Sequence, residues 1–354
     1  MKELIVSVLL ILATCGKIYS QPIDAAYQQA YSTISDMLEG KELLSFKKAV
    51  FTTENAFWGN RMSYNAFDTT IQSLMPLITA SMKVNHLVNY HESDSLLVNK
   101  GGAIYTLLKD TINIRFSDNT LGVHYPFTYD FDDFFGKDDW TKMFVMKLLA
   151  SGSGNCHSLP YLYKIFADEL GVTNIWLSFA PNHIYIRNRC KKLGWFNTEL
   201  TSGEYPVDAW LMASGFISID AIRSGIYMDT LSNRQAVANC AFDLAKGYER
   251  KYNIYTDSFI VRCCDLTLKY HPNNINAIVY KAEVLKKIYL SCQKENPALA
   301  STVYSEMERL YVKALDLGYK EMPEKMYREW MQSVRQQKEK YSNKKVAEAV
   351  TKGK

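Results

Sequence analysis

The stretch from Gly152 to Gly203 decides the fold that this sequence predicts. It opens with Gly152-Ser-Gly-Asn-Cys156-His-Ser-Leu-Pro160, passes through a helical pattern to Pro181-Asn-His183-Ile-Tyr-Ile-Arg187, and closes with Gly194-Trp-Phe-Asn-Thr-Glu199-Leu-Thr-Ser-Gly203. A glycine-rich turn with a cysteine, an amphipathic helix, and two strands with a histidine and an acid therefore follow one another. This order is one that builds a thiol active site.

Cys156 lies at the predicted start of a helix. Apolar side chains recur behind it at steps of three and four residues, namely Leu159, Leu162, Tyr163, Phe166 and Leu170. Gly171 stands where a helix ends, and Pro160 belongs in a first turn, so the regular helix is expected to begin near His157 or Ser158 with Cys156 as a cap residue. The helix dipole at this end favours the thiolate, which is the reactive form of cysteine.

His183 follows on the second of two short strand patterns. Alternation places His183, Tyr185 and Arg187 on one face of that strand. His183 is a candidate to take the thiol proton and return it to a leaving group. The next strand offers Glu199 or Asn197 to hold the imidazole in one tautomer.

These motifs resemble the transglutaminase-like superfamily of papain-type cysteine enzymes. The resemblance covers roughly residues 95 to 215 and rests on Gly154-Asn155-Cys156, Asn182-His183-Ile184-Tyr185 and Trp195-x-x-x-Glu199-x-Thr201. It implies an α+β fold with a papain-like core, in which a helix packs on an antiparallel sheet. It also implies that Cys156 is the nucleophile, His183 the base and Glu199 the third member, with no metal and no cofactor.

The third member departs from the family pattern, because the family usually has Asp where this chain has Glu199. Asp208 is a nearby alternative, and Asn197 suits a papain-like arrangement. Each candidate also has a structural interpretation: Cys156 as a buried thiol, His183 as a structural histidine and Glu199 as a surface acid at the end of a strand. A further interpretation is that the fold is kept while the chemistry is lost.

Charge and composition bear on location and partners. The chain has 354 residues, of which 41 are basic and 37 acidic, giving a net charge of +4 without long runs of one sign. This balance points away from nucleic acid. Residues 1–20 read as an export signal, and no segment is long enough to span a membrane. We expect a periplasmic or extracellular protein; anchoring through a lipid on Cys15 is the less favoured alternative.

The pattern along the chain predicts several regions. Residues 21–94 are a helical region, with Pro76 expected to bend or split its last helix. Residues 95–228 are the transglutaminase-like core, 229–340 an all-helical domain, and 341–354 a solvated basic tail. Within the core, the aromatic and acidic segment 125–136 departs from a calcium loop and reads as a groove wall or a packing loop.

The C-terminal helical domain resembles tetratricopeptide repeats. The resemblance rests on Leu268-Lys-Tyr-His-Pro272-Asn-Asn and Lys313-Ala-Leu-Asp-Leu-Gly318, which look like the ends of repeat helices, although their spacing requires an insertion. Such a domain either stabilises the core or binds a protein partner.

The leading hypothesis is an exported cysteine enzyme that attacks an amide or peptide bond of a protein or peptide substrate and is hydrolytic, a protease or amidase. The alternative hypothesis is a binding or scaffold protein that uses its helices while the core is inert. Six cysteines follow the predicted signal, and we expect few disulfides among them because a nucleophilic Cys156 must be free.

Overall fold

A computed structural model gives the structure of residues 23–84, 87, 89–336 and 338–350. The predicted export signal at residues 1–20 and the alternative lipid anchor at Cys15 lie outside these described residues. The chain mixes helices with small sheets, so the broad α+β class is confirmed. None of the described helices combines the length and the apolar character that a membrane crossing requires.

The chain forms two compact units, and the first is helical. Its described part comprises residues 23–62, Ile219–Ile226 and Ser232–Lys320. The helices are α1 (Ala25–Glu39), α2 (Phe46–Phe57), α8 (Ile219–Arg223), α9 (Asn233–Tyr252), α10 (Phe259–Tyr270), α11 (Ile275–Cys292) and α12 (Pro297–Asp316). Helices α1 and α2 pack on each other, as do the successive helices from α9 to α12, and α9 also packs on α1 and α2.

Side-chain capping and aromatic packing stabilise this helical unit. Ser232 and Gln235 form a capping box at the start of α9, so both the N-cap and the third residue of the helix have satisfied backbone donors. Tyr27 of α1 packs edge-on against Tyr248 and Phe259, with ring centroids 5.1 and 5.8 Å away. The N-terminal helices are therefore part of the same core as the C-terminal ones.

The second unit contains the cysteine motif. Its described part comprises Ser63–Ser218, Tyr227–Leu231 and residues 321–350. The helices are α3 (Tyr64–Val84), α4 (Ser95–Lys109), α5 (Val145–Ser151), α6 (Ser158–Glu169), α7 (Asp208–Ser214), α13 (Glu324–Gln336) and α14 (Lys344–Val350), with short 3₁₀ turns at Trp140–Met143 and Lys338–Tyr341. The strands are β1 (Ile112–Arg115), β2 (Leu121–His124), β3 (Thr128–Tyr129), β4 (Ser153–Gly154), β5 (Ile175–Ala180), β6 (His183–Cys190) and β7 (Gly194–Thr198).

The centre of this unit is α6 packed on a three-stranded antiparallel sheet. The strand order is β5-β6-β7, with Ala180 opposite His183 and Ile186 opposite Thr198. Helix α6 contacts β5 and β6. The helix ends as its sequence predicts, because Gly171 follows the C-cap with φ +63°, a conformation that glycine adopts without strain.

The two units divide the chain differently from the predicted regions. Helix α3 belongs to the unit with the cysteine motif, whereas Ile219–Ile226 belongs to the helical unit. Residues 321–340, predicted as part of the helical domain, also belong to the unit with the cysteine motif. Pro76 does not split α3, which runs without interruption from Tyr64 to Val84, so that alternative was wrong.

The predicted solvated tail is likewise wrong for residues 344–350. They form α14, whose side chains Val346, Ala349 and Val350 are buried. Val346 and Val350 join a hydrophobic cluster with Tyr90 and Tyr205. The tail is charged, but its apolar side chains recur at helical spacing and bury one face of the helix.

Candidate active site

The start of α6 holds Cys156 in place through its neighbour Asn155. The buried Asn155 side chain accepts hydrogen bonds from the backbone N–H groups of His157 (2.9 Å) and Ser158 (3.2 Å). Its amide also donates to the carbonyl of Phe134 (3.2 Å). The N-cap residue is His157, so the prediction that Cys156 caps the helix was wrong; Asn155 provides the capping acceptor, and Cys156 lies between the two.

The tight turn between β5 and β6 brings His183 to the same place. Pro181 and Asn182 connect the paired residues Ala180 and His183, and Asn182 has φ +55°. Asparagine tolerates this left-handed conformation better than most residues. The carbonyl oxygen of Asn182 lies 3.9 Å from the sulfur of Cys156. The hairpin therefore places both a backbone acceptor and an imidazole beside the thiol.

Glu199 completes the group from the end of β7. Its Oε2 lies 2.5 Å from Nε2 of His183, and its Oε1 accepts a hydrogen bond from the backbone N–H of Thr201 (2.8 Å). Both side chains are almost fully buried, at 0% and 2% exposure. Since Nε2 is bonded to Glu199, Nδ1 is the ring nitrogen left to exchange a proton with Cys156. Nδ1 is buried, and within the described chain it makes no hydrogen bond of the usual length and angle.

The electrostatics of the three groups favour an ion pair. Burial raises the pKa of the Cys156 thiol, but the neighbouring His183 outweighs it, and the net shift in pKa is downward. Burial lowers the pKa of His183, yet Glu199 and then Cys156 raise it well above its ordinary value. Burial raises the pKa of Glu199, and His183 lowers it by more. The arrangement therefore stabilises a thiolate beside an imidazolium.

The other buried cysteines provide a comparison. Burial raises the pKa of Cys240, Cys263 and Cys264, which lie in the helical unit without an imidazole partner. Cys156 is buried as well, and its pKa is lowered. All six cysteines of the described chain are free thiols. The difference between Cys156 and the other three cysteines therefore comes from His183, which lowers the pKa of the Cys156 thiol against the effect of burial.

The two alternative third members lie elsewhere. The Asn197 amide donates to the carbonyl of Pro206 (3.0 Å) and to Asp208 (2.7 Å). Asp208 also pairs with Arg187 at 3.3 Å, and its side chain is half exposed. Their hydrogen bonds run to each other and to these neighbours, whereas the imidazole of His183 bonds to Glu199.

Helix α13 covers the three groups. The hydroxyl of Tyr327 donates to the carbonyl of Asn182 (3.1 Å) and lies 4.0 Å from the sulfur of Cys156. The indole of Trp330 meets the His183 ring edge to face, with centroids 4.9 Å apart. Cys156 is only 9% exposed under this cover. The sequence signal for such a cover is the apolar spacing of Tyr327, Trp330 and Met331, which predicts a buried face without saying what it covers.

Tyr129 is another residue that sequence reasoning did not select. It lies on β3, which pairs in parallel with β4 so that Tyr129 is opposite Gly154, two residues before the cysteine. Its hydroxyl is buried, and in the described part of the chain it makes no hydrogen bond of the usual length and angle. It is close enough to Cys156 for each group to shift the pKa of the other.

The acidic segment before α5 has a structural role. Asp130 accepts the backbone N–H groups of Asp132 (3.0 Å) and Asp133 (3.1 Å) and pairs with Lys142 at 2.7 Å. Asp133 in turn accepts backbone N–H groups, including that of Lys137 (2.7 Å). No group of three or more potential metal ligands occurs among the described residues.

Comparisons with known proteins give little. No family model matches the chain, and no curated protein matches it. A solved structure of menin, described as revealing the binding site for Mixed Lineage Leukemia (MLL) protein, is similar at 11% sequence identity and a TM-score of 0.30, covering 92% of this chain and 94% of menin. A similarity this low is no guide to fold or function.

Proposed function

We propose that this chain is a cysteine enzyme of the transglutaminase-like superfamily that cleaves an amide or peptide bond. The observation that carries the proposal is the arrangement of three buried side chains, Cys156, His183 and Glu199. The imidazole of His183 lowers the pKa of the Cys156 thiol, and the carboxylate of Glu199 hydrogen-bonds to that imidazole. A thiolate is the nucleophilic form of cysteine, and a neighbouring imidazolium can donate to a leaving amine.

The proposed reaction has two steps. The Cys156 thiolate attacks the substrate carbonyl, an S–C bond forms, and the carbonyl electron pair moves to oxygen. The intermediate collapses as the C–N bond breaks, and the amine leaves with the proton of His183. Water then attacks the thioester while His183 accepts its proton, the S–C bond breaks, and the acid is released with the thiolate and imidazolium regenerated. Glu199 stays ionised and stabilises the imidazolium.

Direct labelling of the thiol tests this proposal. Iodoacetamide near pH 6 should modify Cys156 ahead of the other five cysteines of the described chain, because His183 lowers the pKa of the Cys156 thiol. His183→Ala should remove the preference, and Cys156→Ala should remove the modified peptide in mass spectrometry. Since α13 covers the thiol, the same experiment is run in Tyr327→Ala. Cys156 that reacts no faster than an ordinary thiol in both backgrounds would exclude the enzyme.

The second candidate function is an inert core that serves as a scaffold, with the tetratricopeptide-like helices binding a protein partner. The burial of the thiol beneath Tyr327 favours it, because no substrate reaches Cys156 while that helix is in place. A scaffold predicts that Cys156→Ala leaves partner binding and cellular function intact. For either function, the proposed export is tested by sequencing the N-terminus of the mature protein.

A further inference from the structure

We infer that the cleft over Cys156 is a binding site for a peptide segment with aromatic side chains, and that α13 fills it as a built-in inhibitor. The inference rests on the proposed function, since it takes the thiol as the reacting group. It names the substrate class that the site accepts and the event that opens the site.

The first part of the cleft encloses the ring of Tyr327. The ring of Phe135 stacks on it with centroids 4.9 Å apart and an angle of 28°, and Phe134 lies 5.6 Å away. The Tyr327 hydroxyl donates to the carbonyl of Asn182 at the bottom of this pocket. Two aromatic walls with one backbone acceptor form a pocket suited to an uncharged aromatic side chain that carries a donor.

The second part of the cleft holds Trp330, one helical turn further along. The indole packs on His183 and lies 6.1 Å from the ring of Trp210. Its Nε1–H is buried and has no hydrogen-bond acceptor within the described chain. A buried donor without an acceptor costs roughly 1–3 kcal/mol. The contact is therefore extensive but incompletely satisfied, as suits a segment that leaves the site.

The outer face of α13 is built for water. Glu324, Lys325 and Arg328 are exposed, and Glu324 pairs with Lys137 at 2.9 Å. Such exposed ion pairs contribute little to the attachment of a helix, because water screens both charges. The inner face, with Tyr327 and Trp330, thus supplies most of the attachment. An incoming aromatic peptide competes directly with those two side chains for the same pockets.

The test compares two active-site-directed acyloxymethyl ketones, which differ only in carrying tyrosine or serine next to the reactive carbonyl. The second-order rate of Cys156 modification is measured for the wild-type chain, for Tyr327→Ala, and for Met326→Ala, an exposed position on the same helix. We expect at least a tenfold faster reaction in Tyr327→Ala and a change of less than about twofold in Met326→Ala. In Tyr327→Ala the tyrosine reagent should react at least about fivefold faster than the serine reagent.

Competition gives a second measurement. A synthetic peptide of residues 321–336 should slow the reaction of Tyr327→Ala, and the same peptide with alanine at 327 should not. If Tyr327→Ala fails to fold, Tyr327→Phe keeps the ring, removes the bond to Asn182, and should give a smaller acceleration. Equal rates for the wild type and a folded Tyr327→Ala, or equal rates for the two reagents, would overturn the inference. If small iodoacetamide modifies Cys156 no faster than an ordinary thiol in every variant, the proposed function itself has failed.

A separate observation assigns a role to Tyr129. We propose that its hydroxyl donates a hydrogen bond to the oxyanion of the tetrahedral intermediate, again given the proposed function. The parallel pairing of β3 with β4 fixes Tyr129 beside the cysteine loop, since the N–H of Asp130 donates to Gly154 (2.7 Å). Its buried hydroxyl makes no hydrogen bond of the usual length and angle in the described chain but is near enough to lower the pKa of the Cys156 thiol, and a forming oxyanion beside that thiol supplies a better acceptor.

Two reagents separate this role from any effect on the thiolate, both in the Tyr327→Ala background. Acylation by p-nitrophenyl acetate forms an S–C bond, places charge on the carbonyl oxygen, and releases p-nitrophenolate. Alkylation by iodoacetamide releases iodide and forms no oxyanion. Tyr129→Phe should slow acylation of Cys156 by at least about tenfold more than it slows alkylation, whose loss reports only the contribution of Tyr129 to the pKa of the thiol. Equal loss with both reagents, or loss with neither, would refute the assignment. If Cys156 alkylates no faster than an ordinary thiol even with Tyr129 present, the failure lies with the proposed function.

Discussion

At the scale of single residues, the central feature is that only one of the two candidate carboxylates, Glu199, hydrogen-bonds to the imidazole of His183. Glu199 reaches His183 from the end of β7, whereas Asp208 is engaged by Arg187 and Asn197. Glutamate has one methylene more than aspartate, and the Glu199 carboxylate accepts a hydrogen bond from the backbone N–H of Thr201, which holds it in place. This contact favours Glu199 over Asp208 as the third member of the proposed triad.

A pair of isosteric amides tests that assignment. Glu199→Gln should reduce the rate of Cys156 modification at pH 6 by at least about tenfold, because the imidazolium loses its charged partner. Asp208→Asn is the matched control and should change the rate by less than about threefold, since it lies on the surface side of Asn197. The reverse order of effects would transfer the role to Asp208.

The lowered pKa of Glu199 also predicts how stability depends on pH. A carboxyl whose pKa is lower in the folded state contributes stability above its unfolded pKa of 4.5, and this stability is lost as the pH falls through the folded pKa. Wild-type protein should therefore lose free energy of unfolding more steeply below about pH 4.5 than Glu199→Gln, which cannot titrate. Denaturant unfolding at several pH values measures both slopes. Parallel curves for the two proteins would contradict the shift.

At the scale of elements, the start of α6 is the segment that positions Cys156. The Asn155 side chain accepts the backbone N–H groups of His157 and Ser158 and donates to the carbonyl of Phe134, which fixes Cys156 between two anchored residues. Asn155→Ala should cost about 1–2 kcal/mol of unfolding free energy, the usual value for a lost capping side chain. It should also slow Cys156 modification in the Tyr327→Ala background, because the sulfur moves relative to His183. A loss of stability with an unchanged rate would show that the cap does not position the thiol.

Sequence patterns predicted these elements unevenly. The spacing of Leu159, Leu162 and Phe166 was enough to predict α6, and Gly171 to predict its end, because both are local properties of the chain. The family resemblance selected Glu199, but the residues alone left Asp208 and Asn197 open, since the choice depends on where the β6-β7 hairpin and the chain after it come to lie. The N-cap was predicted at Cys156 and lies one residue later, at His157. The sequence pattern around residues 155–157 is compatible with a helix start at any of them.

At the scale of the whole molecule, the C-terminal residues 321–350 are part of the unit with the cysteine motif. The sequence predicted helices up to residue 340 but not the packing partner of α13, because periodicity reports that a face is buried and not which residues it packs against. The same limit made the charged end look like a solvated tail. Long-range contacts such as the N–H of Asn343 donating to the carbonyl of Tyr205 (2.7 Å) have no local sequence signal.

The docking of α14 leads to a prediction for this unit. Val346→Asp places an uncompensated carboxylate at a position that is 1% exposed, next to Tyr90 and Tyr205. Burying such a charge should cost more than about 3 kcal/mol and lower amide protection in β5, β6 and β7, measured by hydrogen exchange. The exposed Lys345→Asp is the control and should have little effect. Unchanged protection in Val346→Asp would mean that α14 is not part of this core.

The most direct measurement of the central claim is the pH dependence of Cys156 alkylation by iodoacetamide in Tyr327→Ala, from about pH 4 to about pH 10. The rate constant should titrate with an apparent pKa below the ordinary 9.0 of a cysteine, because His183 stabilises the thiolate. Adding His183→Ala should move that titration to higher pH. A rate that rises only through the ordinary cysteine range, and is the same with and without His183, would contradict the account.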